Sequence, residues 1–415
     1  MKPTFKAFSA GSRYAWFLIL YFWIYGFVGS VNRFVQSYYQ EDISRQLSTG
    51  RSFLGTTWSL SIIIGAVCSP IGGYLIDKYS YKKVMMASSL LGAASVGTLL
   101  LFQNTAGYFI GFGVLSGLIG IAASANYIFV ADWFSSHRAK VLVILNSSNS
   151  LGLAILSPIF ILNESRLGWI QLYWVTFASG LLFCVFTFLV VRRNPANRLE
   201  TELHSERPRE KLKVRSAMSF VRNLQDRRIM VVMIALFTCG FSMGTVEMHL
   251  MAIYQVAGAN QMIFSSSLSL LGVLELSGGI VFSFLLDRMR RELALGCLYI
   301  VRVTAFVILF LNFPVSPLFF SLIFGASYLG ALPGGILLAN ETLEKKGIPA
   351  GMLTGFLICI HQAGGAISGI AGGANYDLFH NYQLLIGANI LLSLLSSIGY
   401  LTVYRKSNVK VGAAA

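Results

Sequence analysis

The sequence predicts an all-α membrane protein: twelve transmembrane helices in two pseudo-symmetric six-helix bundles. Three observations predict it. Of the 415 residues 55% are hydrophobic and 12% charged, about half the ~25% charge of a soluble domain. Apolar runs of about 20 residues, each long enough to cross a bilayer, recur along the whole length. Lys and Arg are also sorted by side. Of the 32, 27 fall in the tails and even-numbered turns, Arg45, Arg51 and Arg166 fall on the other side, and Arg33 and Arg302 lie inside spans. That bias puts both termini in the cytoplasm, at the inner or plasma membrane. It also accounts for the net charge of +15 without a nucleic-acid partner.

The spans are expected at 14–37, 53–76, 84–103, 107–131, 140–162, 168–191, 229–252, 264–286, 293–311, 316–339, 349–373 and 382–404. In the first, Arg33 is the sole charge between Tyr14 and Phe34, and a cation there costs on the order of 2.5 to 3.5 kcal/mol on insertion scales. This run continues past any signal-peptide core and no small-residue cleavage site follows a short one, so it is read as a retained helix. The second span ends in "GGYLIDKYSYKK" (72–83). The third is plainly apolar, and the fourth carries Gly113 and Gly117, four apart, as a helix-packing face. The fifth contains "GLAILSPIF" (152–160), and the sixth closes the first half.

A mixed-charge segment, 192–228, then reads as a solvated linker, with "SAMSFVRNL" suited to a short surface helix. The domains are therefore 1–191, 192–228 and 229–415. In the seventh span Glu247 and His249 are two residues apart, so they face different ways. The eighth holds Glu275 and ends in "FSFLLDRMRR" (282–291), the ninth holds Arg302, and the tenth holds Tyr328. The eleventh carries His361, Gln362 and a second glycine pair, Gly365 and Gly369, before an apolar twelfth. Cys68, Cys184, Cys239, Cys297 and Cys359 all lie within spans without C-x-x-C spacing, as small packing residues and not a disulfide or zinc framework. No H-E-x-x-H, nucleophile elbow or Walker loop is present. An enzyme is excluded, and no cofactor or metal is expected.

The halves repeat each other. Both "GGYLIDKYSYKK" and "FSFLLDRMRR" end a hydrophobic helix with Leu-x-Asp and cations, at an offset of 210 residues from Asp77 to Asp287. Near the starts, "GFVGSVNRFV" (26–35) aligns with "GFSMGTVEMH" (240–249) at an offset of 214. Two parallel six-helix halves around a mid-membrane site form an established transporter architecture.

The first of these motifs resembles the signature between helices 2 and 3 of the major facilitator superfamily, G-x-L-x-D-R-x-G-R-K. Gly73, Asp77, Lys78 and Lys82 match; Ser80 and Tyr81 depart from its glycine and arginine. With Asp287 and Arg288 in the repeat, these residues are implied to clamp neighbouring helix ends in one conformation and release them in another. "ADWFSSHRAKVLVILNSSNSLG" (131–152) is similar to the helix 4–5 connection of the monocarboxylate and oxalate–formate porters. "HQAGGAISGIAGGANYDLFHNYQ" (361–383) resembles their helix 11, and the fifth span lacks the G-P-x-x-G-G of drug antiporters. The resemblance implies the major facilitator fold and a secondary active transporter of a small, monocarboxylate-like organic anion, coupled to protons or exchanging. The expected partners are that solute, protons and the lipid bilayer, with the chain acting as a monomer.

In that family helices 1, 4, 7 and 10 line the cavity. Arg33 stands at the lysine of a helix 1 pattern, with Asn32 at its proline. A guanidinium fork matches a carboxylate, so Arg33 is either the anion's partner or an interfacial anchor. Glu275 takes the family's acidic position on helix 8, but Gly279 replaces its arginine. His361 and Gln362 hold the level of the oxalate branch's lysine. Tyr127 and Tyr328 are cavity walls or interfacial anchors. Arg302 reads as structural, pairing with Glu275. Arg33 and Glu247 occupy equivalent places in the two halves and are expected to approach each other when the outer cavity closes; Glu247 and Glu275 are rival proton carriers. The alternative function is a carrier for a cationic or zwitterionic metabolite using Glu247 and Glu275.

Overall fold

The computed structural model describes residues 13–134, 138–192, 225–344 and 350–412. Twelve helices in it are long and apolar enough to cross a membrane. They are α1 (Arg13–Tyr38), α2 (Arg51–Tyr79), α3 (Tyr81–Leu101), α4 (Thr105–Val130), α5 (Val141–Leu162), α6 (Trp169–Val190), α7 (Arg227–Val256), α8 (Gln261–Leu286), α9 (Arg291–Leu311), α10 (Ser316–Thr342), α11 (Leu353–Phe379) and α12 (Gln383–Arg405). The largest departures from expectation are at two ends. Helix α7 runs on to Val256 because nothing stops it before Gly258, whose φ of 65° supplies the left-handed residue that ends helices. Helix α11 continues to Phe379, which brings Asp377 into its last turn. The linker, including "SAMSFVRNL", falls almost wholly outside the described residues.

The chain divides into two compact units. The N-terminal unit holds residues up to Thr49, Leu60–Leu156 and Asn163–Glu210; the C-terminal unit holds Lys211 onward together with Gly50–Ser59 and Ser157–Leu162. The first turns of α2 thus belong with the helices of the second half, where the sequence suggested a boundary only in the linker. Each unit has its own apolar core. In the first, Leu18 and Phe22 of α1 meet Phe129 of α4 and Leu145 of α5. In the second, Leu236 of α7, Leu295 and Tyr299 of α9, Leu357 of α11 and Tyr400 of α12 interlock. Outward faces stay apolar: Leu182, Val185, Phe188 and Leu189 of α6 are exposed, as suits a lipid-facing helix. Two of the five cysteines, Cys297 and Cys359, are also exposed and so do not serve as packing residues.

Three helices are irregular. Helix α4 has a π-helical stretch at Phe109–Leu115 and a 3-10 turn at Ile119–Ala122. Helix α7 has a π-helical stretch at Thr245–His249. Helix α10 is interrupted between Ser327 and Ala331. Pro333 explains the last: it has no N–H for the carbonyl four residues back, and its ring crowds that carbonyl.

The start of α2 is fixed by a residue of α11. The first amides of any helix have no intrahelical partner. Here Asp377 Oδ1 accepts from the Arg51 N–H and Oδ2 from the Ser52 N–H, both at 2.8 Å. The negative charge also complements the positive helix end. A Cβ on Gly50 would lie 2.3 Å from Asp377 Oδ2, so glycine is what lets the carboxylate close on the backbone. The buried Arg51 side chain lies over the Tyr376 ring at 3.7 Å and donates through Nη1 to the Tyr382 hydroxyl at 3.0 Å. Burial pushes the Tyr382 phenol up to about 12, against the pull of the Arg51 charge, so it remains a neutral acceptor. Replacing a helix cap by alanine costs about 0.5 to 2 kcal/mol. Asp377→Ala, which removes two such bonds, is expected to fall at the upper end, read as a lower apparent melting temperature of the purified protein. An unchanged value would remove the cap from the account of the fold.

Candidate functional site

All six membrane helices of the N-terminal unit border one cavity of about 520 Å³. Helix α1 contributes Asn32, α3 Ser88, α4 Asn126, α5 Asn146 and Asn149, and α6 Thr176; α2 adds Ser61. No lining residue carries a formal charge. Polar side chains within a membrane span are costly in contact with lipid and face a bundle interior or a cavity, which is where these lie. Close approach of α2 and α4 shapes the wall: a Cβ on Gly120 would fall 2.6 Å from Gly65 Cα. Gly117 likewise packs against Ile64 and the Ser61 carbonyl, so half of the expected Gly113–Gly117 face is a contact with α2.

Arg33 is half-buried on α1, one residue beyond Asn32. Tyr127 is 57% exposed and does not line the cavity; its neighbour Asn126 does. None of the four asparagines stands out in a search for ionisable residues. The signal was present nonetheless: "NSSNS" (146–150) is five consecutive polar residues inside a membrane span.

The C-terminal unit gathers a second polar group. The Tyr328 hydroxyl donates to Glu247 Oε1 at 2.7 Å, joining α10 to the π-helical stretch of α7. On α11, His361 Nδ1 lies 3.3 Å from Gln362 Oε1. The buried Cys239 thiol is within reach of both His361 and Arg302, and the Glu247 charge acts on His361. The expected residues thus meet in two pairs, Tyr328 with Glu247 and His361 with Gln362. Glu275 is buried in α8, 1% exposed. His249 is fully buried and turned elsewhere, its Nε2 3.0 Å from the Gly369 carbonyl and its ring tilted against that of Tyr382, centroids 5.5 Å apart.

Arg302 departs from expectation in its partner. It is fully buried on α9, and in place of Glu275 its Nη2 donates to the carbonyls of Ser327 and Tyr328, each at 3.2 Å. Those carbonyls belong to the interruption of α10, where regular helical pairing lapses. Tyr328 is therefore held at both ends, its carbonyl by Arg302 and its hydroxyl on Glu247. Among the described residues no cluster of three or more His, Cys, Asp and Glu is arranged to hold a metal ion.

A family model described as Major Facilitator Superfamily matches residues 18–356. The chain belongs to the Major Facilitator Superfamily. It is a multi-pass membrane transporter and not an enzyme. An MFS-type transporter of Bacillus subtilis (strain 168), YcxA, described as uncharacterized, is 27% identical over 400 residues, covering 93% of this chain and 94% of that one. Monocarboxylate transporter 12 of Xenopus laevis is 22% identical over 420 residues, covering 90% and 86%. Among solved structures, the nucleoside transporter NupG shares the fold, with a TM-score of 0.73 at 13% identity, covering 93% of this chain and 99% of that one.

The superfamily signature lies at the end of α2. Asp77 and Lys78 are exposed there, Lys78 lying 5.1 Å from the Tyr79 ring, and the space beside Gly73 is open. Lys82 Nζ donates to the Phe188 carbonyl at 2.6 Å, tying α3 to the end of α6. Tyr81 stands at the signature's arginine and carries no charge. Its hydroxyl bonds Asp132 Oδ2 at 3.2 Å and the Arg192 carbonyl at 3.0 Å, and accepts from Trp133 Nε1 at 3.0 Å. In the repeat, Arg288 lies 4.0 Å from the Phe284 ring, while the side chain of Asp287 lies outside the described residues.

Ser80 stands at the signature's glycine and keeps a glycine's backbone, with φ 114° and ψ 152°. A side chain there costs on the order of 1 to 3 kcal/mol. Ser80→Gly is therefore expected to stabilise the purified transporter, raising its apparent melting temperature by about 1–3 °C. A fall would mean that the serine side chain contributes more than its backbone costs.

Proposed function

We propose that the chain is a secondary active transporter that moves a small organic carboxylate with a proton by alternating access, with both termini cytoplasmic. The observation that carries the carboxylate is the charge inventory of the N-terminal cavity. Its lining holds neither acid nor base, and the charge nearest along α1 is the half-buried cation Arg33, one residue beyond cavity-lining Asn32 and outside the lining itself. A cationic solute would find no counter-charge in that lining, which weighs against the amine-carrying alternative. A carboxylate would meet a planar fork of donors. Opposite charges ~4 Å apart at an effective dielectric near 20 attract by roughly 4 kcal/mol, offset in part by desolvation. The name of the Xenopus relative, monocarboxylate transporter 12, points the same way.

Glu247 is the proposed proton carrier. It is half-buried on a membrane helix and bonded by one phenol. Protonation would remove its charge and change what the Tyr328 hydroxyl can donate to. Because the Tyr328 carbonyl is fastened at the interruption of α10, a change at the hydroxyl is felt at the point where that helix is already broken.

Two measurements test the reading in proteoliposomes. Arg33→Ala is expected to reduce carboxylate uptake at least tenfold while Arg33→Lys retains part; wild-type affinity in the alanine variant would leave Arg33 an interfacial anchor. Glu247→Gln is expected to keep exchange of internal for external solute but to lose accumulation driven by an imposed pH gradient. If that accumulation survives in Glu247→Gln and disappears in Glu275→Gln, the proton travels on α8 and the role given to Glu247 is wrong.

A further inference from the structure

We propose that the cavity of the N-terminal unit is a subsite for a hydroxyl-rich body, which makes the transported solute a polyhydroxylated carboxylate. The inference rests on the carboxylate reading for the charged end and on the cavity alone for the rest.

The first argument is size. A volume of about 520 Å³ falls within the ~300–1,000 Å³ of organic-ligand pockets and far exceeds what a two- or three-carbon acid needs. The second is neutrality, since a cavity with no charged lining suits the uncharged part of a molecule. The third concerns which hydrogen-bonding capacity is left over. Four of the hydroxyls that line the cavity spend their protons on backbone. Ser89 donates to the Met85 carbonyl at 3.0 Å, Ser148 to Leu145 at 2.7 Å, Thr176 to Leu172 at 3.0 Å, and Ser179 to the Thr176 carbonyl at 2.9 Å. Each is left with oxygen lone pairs and no spare proton.

Asn32 adds a further acceptor: its Oδ1 is buried and has no hydrogen-bond partner. A buried acceptor without a partner costs about 1 to 3 kcal/mol, a cost that a bound donor would relieve. Among the described residues, the carboxamides of Asn126, Asn146 and Asn149 make no hydrogen bond within the protein, and each offers both a donor and an acceptor. The wall is therefore rich in acceptors with a few donors interspersed. Aliphatic hydroxyls, which donate one bond and accept others, are the complement. A purely hydrocarbon tail would leave these groups unpaired, and an amine cation would find no counter-charge.

The test uses the full-length protein in lipid nanodiscs and isothermal titration with three probes: gluconate, the neutral polyol glucitol, and propionate. Gluconate is expected to bind at least tenfold more tightly than propionate, with glucitol weaker than gluconate. Asn126→Ala and, separately, Asn146→Ala are expected to weaken gluconate about tenfold and leave propionate within twofold. They lie on different helices, so misfolding of one leaves the other informative, and retained propionate binding certifies the fold. Propionate binding as tight as gluconate overturns the subsite and leaves the carboxylate reading standing. Glucitol binding as tight as gluconate keeps the cavity and overturns the carboxylate. Binding of none of the three overturns both.

Discussion

Inside a bilayer no water reaches a free carbonyl, so every irregular stretch of backbone needs a partner built into the protein. That constraint accounts for a costly residue. Arg302 is fully buried with a permanent charge, and a carboxylate partner would be the ordinary reason for it. Its partners are two carbonyls at the interruption of α10. With the broken helix held this way, Tyr328 stands where its hydroxyl meets Glu247. Pro333 keeps the interruption from healing into regular helix, so without Arg302 two acceptors would lose their buried donor. The geometry around Glu247 thus depends on a residue that touches it only through backbone.

The sequence made the spans legible because membrane insertion reads the same quantity, sustained hydrophobicity over a fixed length. It also marked Glu247, Tyr328 and His361, since ionisable or hydroxyl groups in spans are conspicuous, and Gln362 only as the neighbour of His361. What could not be read was how a helix departs from regularity. A guanidinium seeking carbonyls and one seeking a carboxylate look alike in sequence. The π-helical stretches of α4 and α7 left no periodic trace. The asparagine lining was missed for a different reason: carboxamides carry no charge, so a search for ions passes over them, although five polar residues in a row on α5 are as anomalous there as one arginine.

Two substitutions within the signature between α2 and α3 alter its chemistry while the turn keeps its place. Tyr81 replaces a cation by a phenol that reaches an acid, a carbonyl and an indole at once. Ser80 keeps a backbone that its side chain opposes. The turn is fixed by what it must connect, and local preference gives way to it.

Helix α11 carries a further consequence in its glycines. Cβ atoms on Gly55 and Gly240 would fall 2.1 and 1.8 Å from carbonyl oxygens of α11, those of Gly369 and His361. Backbone therefore lies directly on backbone where α2 and α7 cross it. Ordinary helix pairs are keyed by side chains that must be lifted from their sockets before one helix can move along the other. Between α2 and α11 such keys sit beside the glycine: Ser59 Oγ donates to the Ala366 carbonyl at 2.6 Å, and Asp377 holds the Arg51 and Ser52 amides. The glycine sets how closely the two helices approach and the clasps set their register, so that seam is latched against sliding.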